Sequence, residues 1–474
     1  MSIFQATGHV TGERLFDTDA SSPARATDAL ARAVNADVEA GVCHTSGAVE
    51  QRVAHRHTGA CTDRATVAQT GADVVAAGGG DVSPGAVRGQ IGIDYGRMQA
   101  GTEATILGTG HRASILGAAF ANAELINALD HDAVLPPGHV CPYVLPGALA
   151  LAETRHASGR ELILATALAH EISWRIGKAM DYLRDIRDGK VEPPPVWGFA
   201  STIFGATAAI SKLQGQPAEV VGNALSIAAM ISPVNAAASW RQHAPPTTIK
   251  YMLGGWLAHG AITAAHMAGF GHRGDRQIFE PEYGYPRFIG TRRWEPEHIL
   301  DKLGSEWRFP SESSFKPYPH CRVLHAPLDA LNQIIDQNRI TPDEIEGIKA
   351  WVEGFLERPL WMNRDITDVT DAQFSIAHGL ALGAHQFVRG PEWQKPERVY
   401  DPSVMRLMEK VEHVIHPDYA DSLTKDRASR PTRVEVRARD QVFVAERSHP
   451  KGSGAPGSDS YMTTAELVEK FRVN

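Results

Sequence analysis

Residues 111–129 read HRASILGAAFANAELINAL, and their apolar side chains recur at helical spacing, which predicts an α-helix. Working outward, the same pattern returns in LPGALALAETR (145–155), RELILATALAHEISWRIGKAMDYLRD (160–185) and STIFGATAAISKLQG (201–215), the last ended by Gly215. It continues in QPAEVVGNALSIAAMI (216–231) and IKYMLGGWLAHGAITAAHMA (249–268). Pro217 falls in a first turn, where a missing N–H costs nothing. Small residues are dense in these runs, so helices can approach closely. Residues 98–311 are therefore predicted to be all-helical, with no strand alternation.

After about residue 312 strands enter. RVLHAPLDALNQIIDQN (322–338) reads as helix, while ITPDEIEGIKAWVEGF (340–355) opens with Pro342 and acidic residues before a strand-like run. TRVEVRARDQVFVAER (432–447) alternates and breaks between Asp440 and Gln441, the mark of a hairpin. SGAPGSDS (453–460) reads as a flexible connector. TTAELVEKF (463–471) returns to helix through a Thr463…Glu466 capping box. The predicted fold is mainly α with an α+β lid: a large all-helical domain over 98–311 and a smaller inserted α/β domain over 312–448. Residues 449–474 form a connector and a C-terminal helix returning to the helical domain.

The segment before residue 98 differs. Residues 21–90 contain no Phe, Trp, Tyr, Ile, Met or Lys, and Leu30 is their single leucine. Burying a large apolar side chain yields roughly 1.5–3 kcal/mol, against an ordering cost of roughly 1–2 kcal/mol per residue. With so few anchors, residues 1–97 are expected to be partly disordered or loosely packed. Glycines 78–80 lack the GK[ST] that a phosphate loop requires.

Bulk properties exclude several classes. A net charge of −8 without a run of Lys and Arg argues against a nucleic-acid surface. Cys43, Cys61, Cys141 and Cys321 form no CxxC pair, which argues against a zinc ribbon or a redox pair and for free thiols in a reducing compartment. No signal-peptide pattern and no membrane-length apolar run are present, so the chain is expected to be cytoplasmic.

Three stretches carry candidate chemistry. NALDHDAVLPPGHVCPY (127–143) gathers Asp130, His131, Asp132 and His139; WRQHAPPTTIKYMLGG (240–255) carries Arg241, His243 and Lys250. SSFKPYPHCRVLH (313–325) carries Lys316, His320, Arg322 and His325, stiffened by Pro317 and Pro319. Neither HExxH nor a glycine-centred oxygen-ligand loop occurs, so no metal is predicted. GxSxG is absent as well. Acid–base work on a polycarboxylate remains. Removing a proton beside a carboxylate creates a dianion, which needs aimed cations and a base titrating near neutrality. Lys250, Lys316, His320 and His139 are of the right types; taken singly, each also suits an ordinary surface or loop role.

In order and spacing, GTGHRASILGAAFANAELINALDHD, HVCPYVLPGALALAE, HEISWRIG, FGATAAISKLQG, IKYMLGGW, FKPYPHCRVLH, AQFSIAHGLAL and HPKGS…ELVEKF resemble the MmgE/PrpD family from about residue 98 to the C-terminus. The resemblance implies a helical domain and an α/β lid with the active site between them, a homodimer, and no metal or organic cofactor. The family acid of ALDFDD falls on Asp130, the histidine of HPS on His139, and the lysine of TKRLHPG on Lys250. The lysine of KPYPxC falls on Lys316, and the histidine closing that motif on His325. The aromatic before NRP falls on Trp361. Departures are Val134 for a threonine of the decarboxylase branch, Val196 and Trp197 for an HP pair, Leu253 for a histidine, and Cys321 for a decarboxylase-branch histidine.

The resulting expectation is a cofactor-independent, dehydratase-like lyase acting on a small di- or tricarboxylate. An epimerase, a decarboxylase or an impaired carboxylate-binding homologue are the alternatives. Lys250, Lys316 and Arg241 would bind carboxylates and stabilise the enolate-like intermediate, helped by Arg322, His325 and Trp361. His139 or His320 would move the proton, and Asp130 would orient or donate. His131 and Asp132 are read as structural.

Overall fold

The computed structural model describes residues 23–35, 87–194, 196–233, 237–354, 356–454 and 460–474. Most of the atypical 21–90 segment, glycines 78–80, Cys43, Cys61 and residues 455–459 of the connector lie outside them.

The described part of the N-terminal segment departs from the loose packing expected of it. Pro23–Asn35 is a helix (α1) burying Ala26, Ala29, Leu30, Ala31 and Val34. A single leucine anchors it because the alanines around it let the helix lie close against its neighbours. Val87–Met98 (α2) follows and packs on Ile115–Ala128 (α3).

The helical layers continue with Cys141–Thr154 (α4), Gly159–Ala179 (α5), Thr202–Leu213 (α6), Ala218–Ile231 (α7) and Gly254–Gly269 (α8). Helix α3 starts at Ser114, whose side chain accepts from the Gly117 N–H, and twelve of its residues are buried. Helix α5 starts in a Ser158–Glu161 capping box, which satisfies two otherwise unpaired donors. Close approach is built from glycine: a Cβ on Gly205 of α6 would fall inside the contact distance of the Ala169 carbonyl of α5. Gly205→Ala should therefore cost about 1–3 kcal/mol through overpacking, although alanine in a helix normally gains about 0.5–1 kcal/mol over glycine. Urea unfolding measures this, and a neutral or stabilising result would show that the helices can part freely.

Two expectations are corrected here. Residues 98–311 are not all-helical: Ala104–Ile106 (β1) pairs with His111–Ala113 (β2), Val134–Leu135 (β3) with Gly138–His139 (β4), and Asp185–Arg187 (β5) with Lys190–Glu192 (β6). Strands of two or three residues are too short for alternation to be read. The helix predicted over 249–268 begins only at Gly254, because Lys250 takes a left-handed backbone with φ 56.

The strand-rich part contains a four-stranded sheet in the order β10-β9-β7-β8. Ile345–Val352 (β7) runs parallel to Val411–Ile415 (β8) and antiparallel to Thr432–Ala438 (β9), which pairs with Gln441–Arg447 (β10). The hairpin turns at Arg439 and Asp440, both with positive φ, one residue before the expected break. His325–Asn338 (α9) packs on β9 and β10. Pro359–Met362 (α10) and Ile376–Ala384 (α11) lie in the β7–β8 connection. Tyr419–Lys425 (α12) joins β8 to β9. The C-terminal helix Thr464–Val473 (α13) lays Leu467 against Ala133 and Phe315, and Lys470 donates to the His131 carbonyl at 2.7 Å. The chain is thus mainly helical with small sheets. No helix among the described residues is long and apolar enough to cross a membrane.

Candidate active site

Asp130 stands two residues beyond α3, and its backbone is left-handed, φ 53. Together with Lys250 it forms a pair of non-glycine residues held in a region that costs on the order of 1–3 kcal/mol each. Strain of this kind survives where surrounding contacts fix it. Here Lys316 Nζ donates to the Asp130 carboxylate at 2.8 Å and to its carbonyl at 2.7 Å. Tyr251 donates its hydroxyl to Oδ1 at 2.9 Å. Lys250 Nζ lies 3.7 Å from the same oxygen and His139 Nε2 lies 3.8 Å from it. Lys250 and Lys316, separated by 66 positions in the chain, thus meet at one carboxylate.

Burial alone would raise the Asp130 pKa, but Lys316, then Lys250 and His139, hold it well below the usual carboxylate range. Asp130 is therefore held as a carboxylate beside the two lysines. Lys250 shifts the same way: burial draws its ammonium down to about 7, with Asp130 opposing and Arg88 and Lys316 adding to the fall. Each group favours the other's charged form, but at Lys250 burial outweighs Asp130. Geometry gives the reason: Lys250 donates to the Asn127 carbonyl at 2.8 Å and stands too far from the carboxylate to hydrogen-bond, whereas Lys316 is in direct contact.

The folded protein holds the Lys250 proton less tightly than the unfolded chain. Stability linked to it is complete above the unfolded value near 10.5 and is lost as pH falls through about 7. The melting-temperature difference between Lys250→Met and the wild type should then move in the variant's favour between about pH 10 and about pH 6. A difference independent of pH would show that Lys250 titrates normally.

His139 ends the β3–β4 hairpin. Its Nδ1 is 2.6 Å from Asp132 Oδ2, and its ring stacks on Tyr251 with centroids 4.5 Å apart. The Asn127 side-chain NH2 donates to the other Asp132 oxygen at 2.9 Å, and Arg88 donates to the Asn127 side-chain oxygen Oδ1 at 2.7 Å. A chain Arg88–Asn127–Asp132–His139 thus orients the imidazole. Burial raises and His139 lowers the Asp132 pKa, and the net direction is down. The ionised Asp132 accepts the Nδ1 proton, and Nε2 is left facing Asp130.

His320 is buried, its Nε2 has no hydrogen-bond partner among the described residues, and burial takes it down to about 4. It is a weaker base than its position suggests. The His320 carbonyl accepts from His325 Nε2 at 3.0 Å. Trp361 is buried on α10, near enough to the Cys321 thiol to influence it. Arg322 Nη1 donates to the Lys451 carbonyl at 2.8 Å and lies 3.2 Å from His325 Nδ1, and burial takes the guanidinium to about 10. Arg241 stacks over Trp197 at 5.2 Å, one aromatic ring removed from Tyr251. Gln373 donates to the Ala128 carbonyl and to Gln394, which donates to Leu129 and Pro319; these bonds tie the Asp130 and Lys316 segments together.

Asp130, Asp132 and His139 place ligand atoms within 4.8 Å of one another, close enough to hold a metal ion. The electrostatics oppose it: Lys316 and Lys250 already occupy the Asp130 carboxylate, and His139 Nδ1 is committed to Asp132. A divalent cation there would stand against two ammonium groups, so the set suits acid–base chemistry better.

The MmgE/PrpD N-terminal domain model matches residues 72–297, and the MmgE/PrpD C-terminal domain model matches residues 318–474. The chain belongs to the MmgE/PrpD family. Among curated relatives of this MmgE/PrpD chain, cis-aconitate decarboxylase of Homo sapiens is 28% identical over 221 residues, 45% of this chain and 43% of that protein. Cis-aconitate decarboxylase of Mus musculus is 26% identical over 234 residues, 48% and 45%. The chain spans less than half the length of these relatives.

Sequence reading missed Asp132 as the partner of His139, Tyr251, Asn127, Arg88, Gln373 and Gln394. The Asp132–His139 separation and the Lys250-Tyr251 adjacency were visible signals. The glutamines carried none, because their role depends on backbone carbonyls far away in the chain.

Proposed function

We propose that this MmgE/PrpD chain is a cofactor-independent lyase of dehydratase type acting on a small di- or tricarboxylate. The observation carrying the reading is the convergence of Lys250, Lys316 and His139 on Asp130. His139 Nε2 takes the proton beside a carboxylate, and the electron pair moves into an enolate. The ammonium groups of Lys316 and Lys250 stabilise the added negative charge in a water-poor site, where such charges interact strongly. Lys250, titrating near 7, returns a proton to the departing hydroxyl, which leaves as water while a carbon–carbon double bond forms. Asp130 keeps both lysines aimed.

The cis-aconitate decarboxylase activity of the relatives favours a second reading, loss of carbon dioxide from an unsaturated tricarboxylate, which needs the same cations and a proton donor. Incubating the protein with hydroxy-di- and tricarboxylates and, separately, with an unsaturated tricarboxylate separates the two. The expected result is ultraviolet absorbance of a new conjugated double bond without gas release. Carbon dioxide release supports the decarboxylase, and hydrogen exchange with heavy water alone supports an epimerase. Binding without any turnover would make the chain a carboxylate-binding homologue instead.

A further inference from the structure

Helix α13 turns a lysine inward and leaves apolar side chains outside. Leu467 and Lys470 are its buried residues, while Val468 and Phe471 are 38% and 43% exposed. Residues three apart share one helix face, so a rotation of α13 by one residue would bring Val468 and Phe471 inward instead. Burying apolar surface stabilises, whereas taking an ammonium out of water is costly unless it meets good acceptors. The Lys470 ammonium meets the His131 carbonyl, 2.7 Å away in the interior. His131 stands between Asp130, whose backbone is left-handed at φ 53, and Asp132, which accepts from His139 Nδ1. Just beyond it, Val134 and Ser314 exchange two backbone hydrogen bonds of 2.9 and 2.8 Å, which set the Asp130 and Lys316 segments side by side. Helix α13 covers that junction: Leu467 packs with Ala133 and Phe315, and Glu466 is 2.9 Å from the Lys451 ammonium. The neighbouring Gly452 carbonyl accepts from the Phe315 N–H at 2.8 Å, one residue before Lys316.

We propose that Lys470 is a positioning residue: from α13 its ammonium fixes the His131 carbonyl, and with it the aim of Asp130 at the two lysines and of Asp132 at His139. The catalytic consequence rests on the lyase reading; the positioning itself does not. The lever is the peptide unit between His131 and Asp132. That unit is planar, so holding its oxygen also sets the direction in which the Asp132 backbone leaves. A non-glycine residue in left-handed backbone persists only where its surroundings over-determine it, and the contact one residue beyond Asp130 is part of that determination. Methionine at position 470 keeps most of the stem's bulk and loses the donor. The peptide unit is then free to turn, and the Asp132–His139 pair leaves its line.

Comparing Lys470→Met and Thr463→Ala with the wild-type full chain separates positioning from packing. Thr463→Ala removes the cap about two turns before Lys470; it should melt lower and keep kcat within about threefold well below its melting temperature. Lys470→Met should melt close to the wild type, because removal of a buried charge offsets the lost hydrogen bond. Its kcat should nevertheless fall about 10–100-fold with KM within about threefold, since a small misplacement of reacting groups costs rate. Backbone hydrogen exchange reads the same displacement without a substrate: it should quicken at least about tenfold over residues 127–143 in Lys470→Met and not in Thr463→Ala. Unchanged kcat and exchange in Lys470→Met would overturn the proposal, as would losses that follow melting temperature alike in both variants. If the wild type turns over no carboxylate, the lyase reading falls, and faster exchange over 127–143 in Lys470→Met alone still upholds the positioning role. Should Lys470→Met not fold, Lys470→Gln, uncharged and shorter by one bond, carries the same comparison.

Discussion

Replacing Asp130 by Asn is expected to destabilise the protein by about 3–5 kcal/mol, and replacing Lys316 by Met by a similar amount. The two groups are fully buried and 2.8 Å apart. Removing either leaves the other as an unpaired buried charge, which is far more costly than the pair is worth. The double variant Asp130→Asn/Lys316→Met should therefore lose much less than the sum of the singles, because no uncompensated ammonium of Lys316 remains. Lys250 would then lose its nearby anion and titrate lower still. Chemical denaturation of the four proteins gives the coupling directly. Additive losses would mean that Asp130 and Lys316 do not share a charge pair. Activity should be absent from all three variants, since stability can be restored without restoring the aimed cation.

Turnover should fall by about 10²–10⁴ when His139 becomes Ala, and by a comparable factor when Asp132 becomes Asn. The second effect follows from hydrogen-bond direction. Asn127 donates to Asp132 Oδ1, so an Asn at 132 would offer its carbonyl to Asn127 and its NH2 to His139 Nδ1. Nδ1 would then have to accept, the proton would move to Nε2, and the lone pair facing the site would be lost. Groups acting as one unit are not additive, so the His139→Ala/Asp132→Asn double variant should be little worse than either single. The assay is steady-state kinetics on whichever panel substrate the wild type turns over. Near-native turnover of Asp132→Asn would remove the dyad from the mechanism, and near-native turnover of His139→Ala would remove the base.

Much of the site was legible as a set of residue types. Asp130, His139, Lys250 and Lys316 stood in three short polar stretches between apolar periodic runs, and the structure brings these four to one point. Reading was poorer where local geometry reverses a role. Asp130 could be read as a donor from its side chain alone, yet two ammonium groups keep it ionised. Asp132 looked like loop polarity, yet it directs the imidazole. Arg322 carried the right charge in the right motif, yet its guanidinium turns to the Lys451 carbonyl. Arg88 was masked by the poor composition around it, although it fills the space between α3 and the chain at Met252.

The amino-acid order by itself determined most of the helices after residue 110, the β9–β10 hairpin, the capped start at Thr463, and the supply of basic residues around residues 241–250 and 316–325. These follow from period, propensity and capping, which act over a few neighbouring residues. Only the tertiary structure decided that Lys250 and Lys316 share one carboxylate, that Lys250 titrates near 7, and that Arg241 is buried without an anion. Those outcomes depend on which distant groups exclude water from one another. Charge–charge energies grow as water is excluded, and no local pattern in the chain records that exclusion.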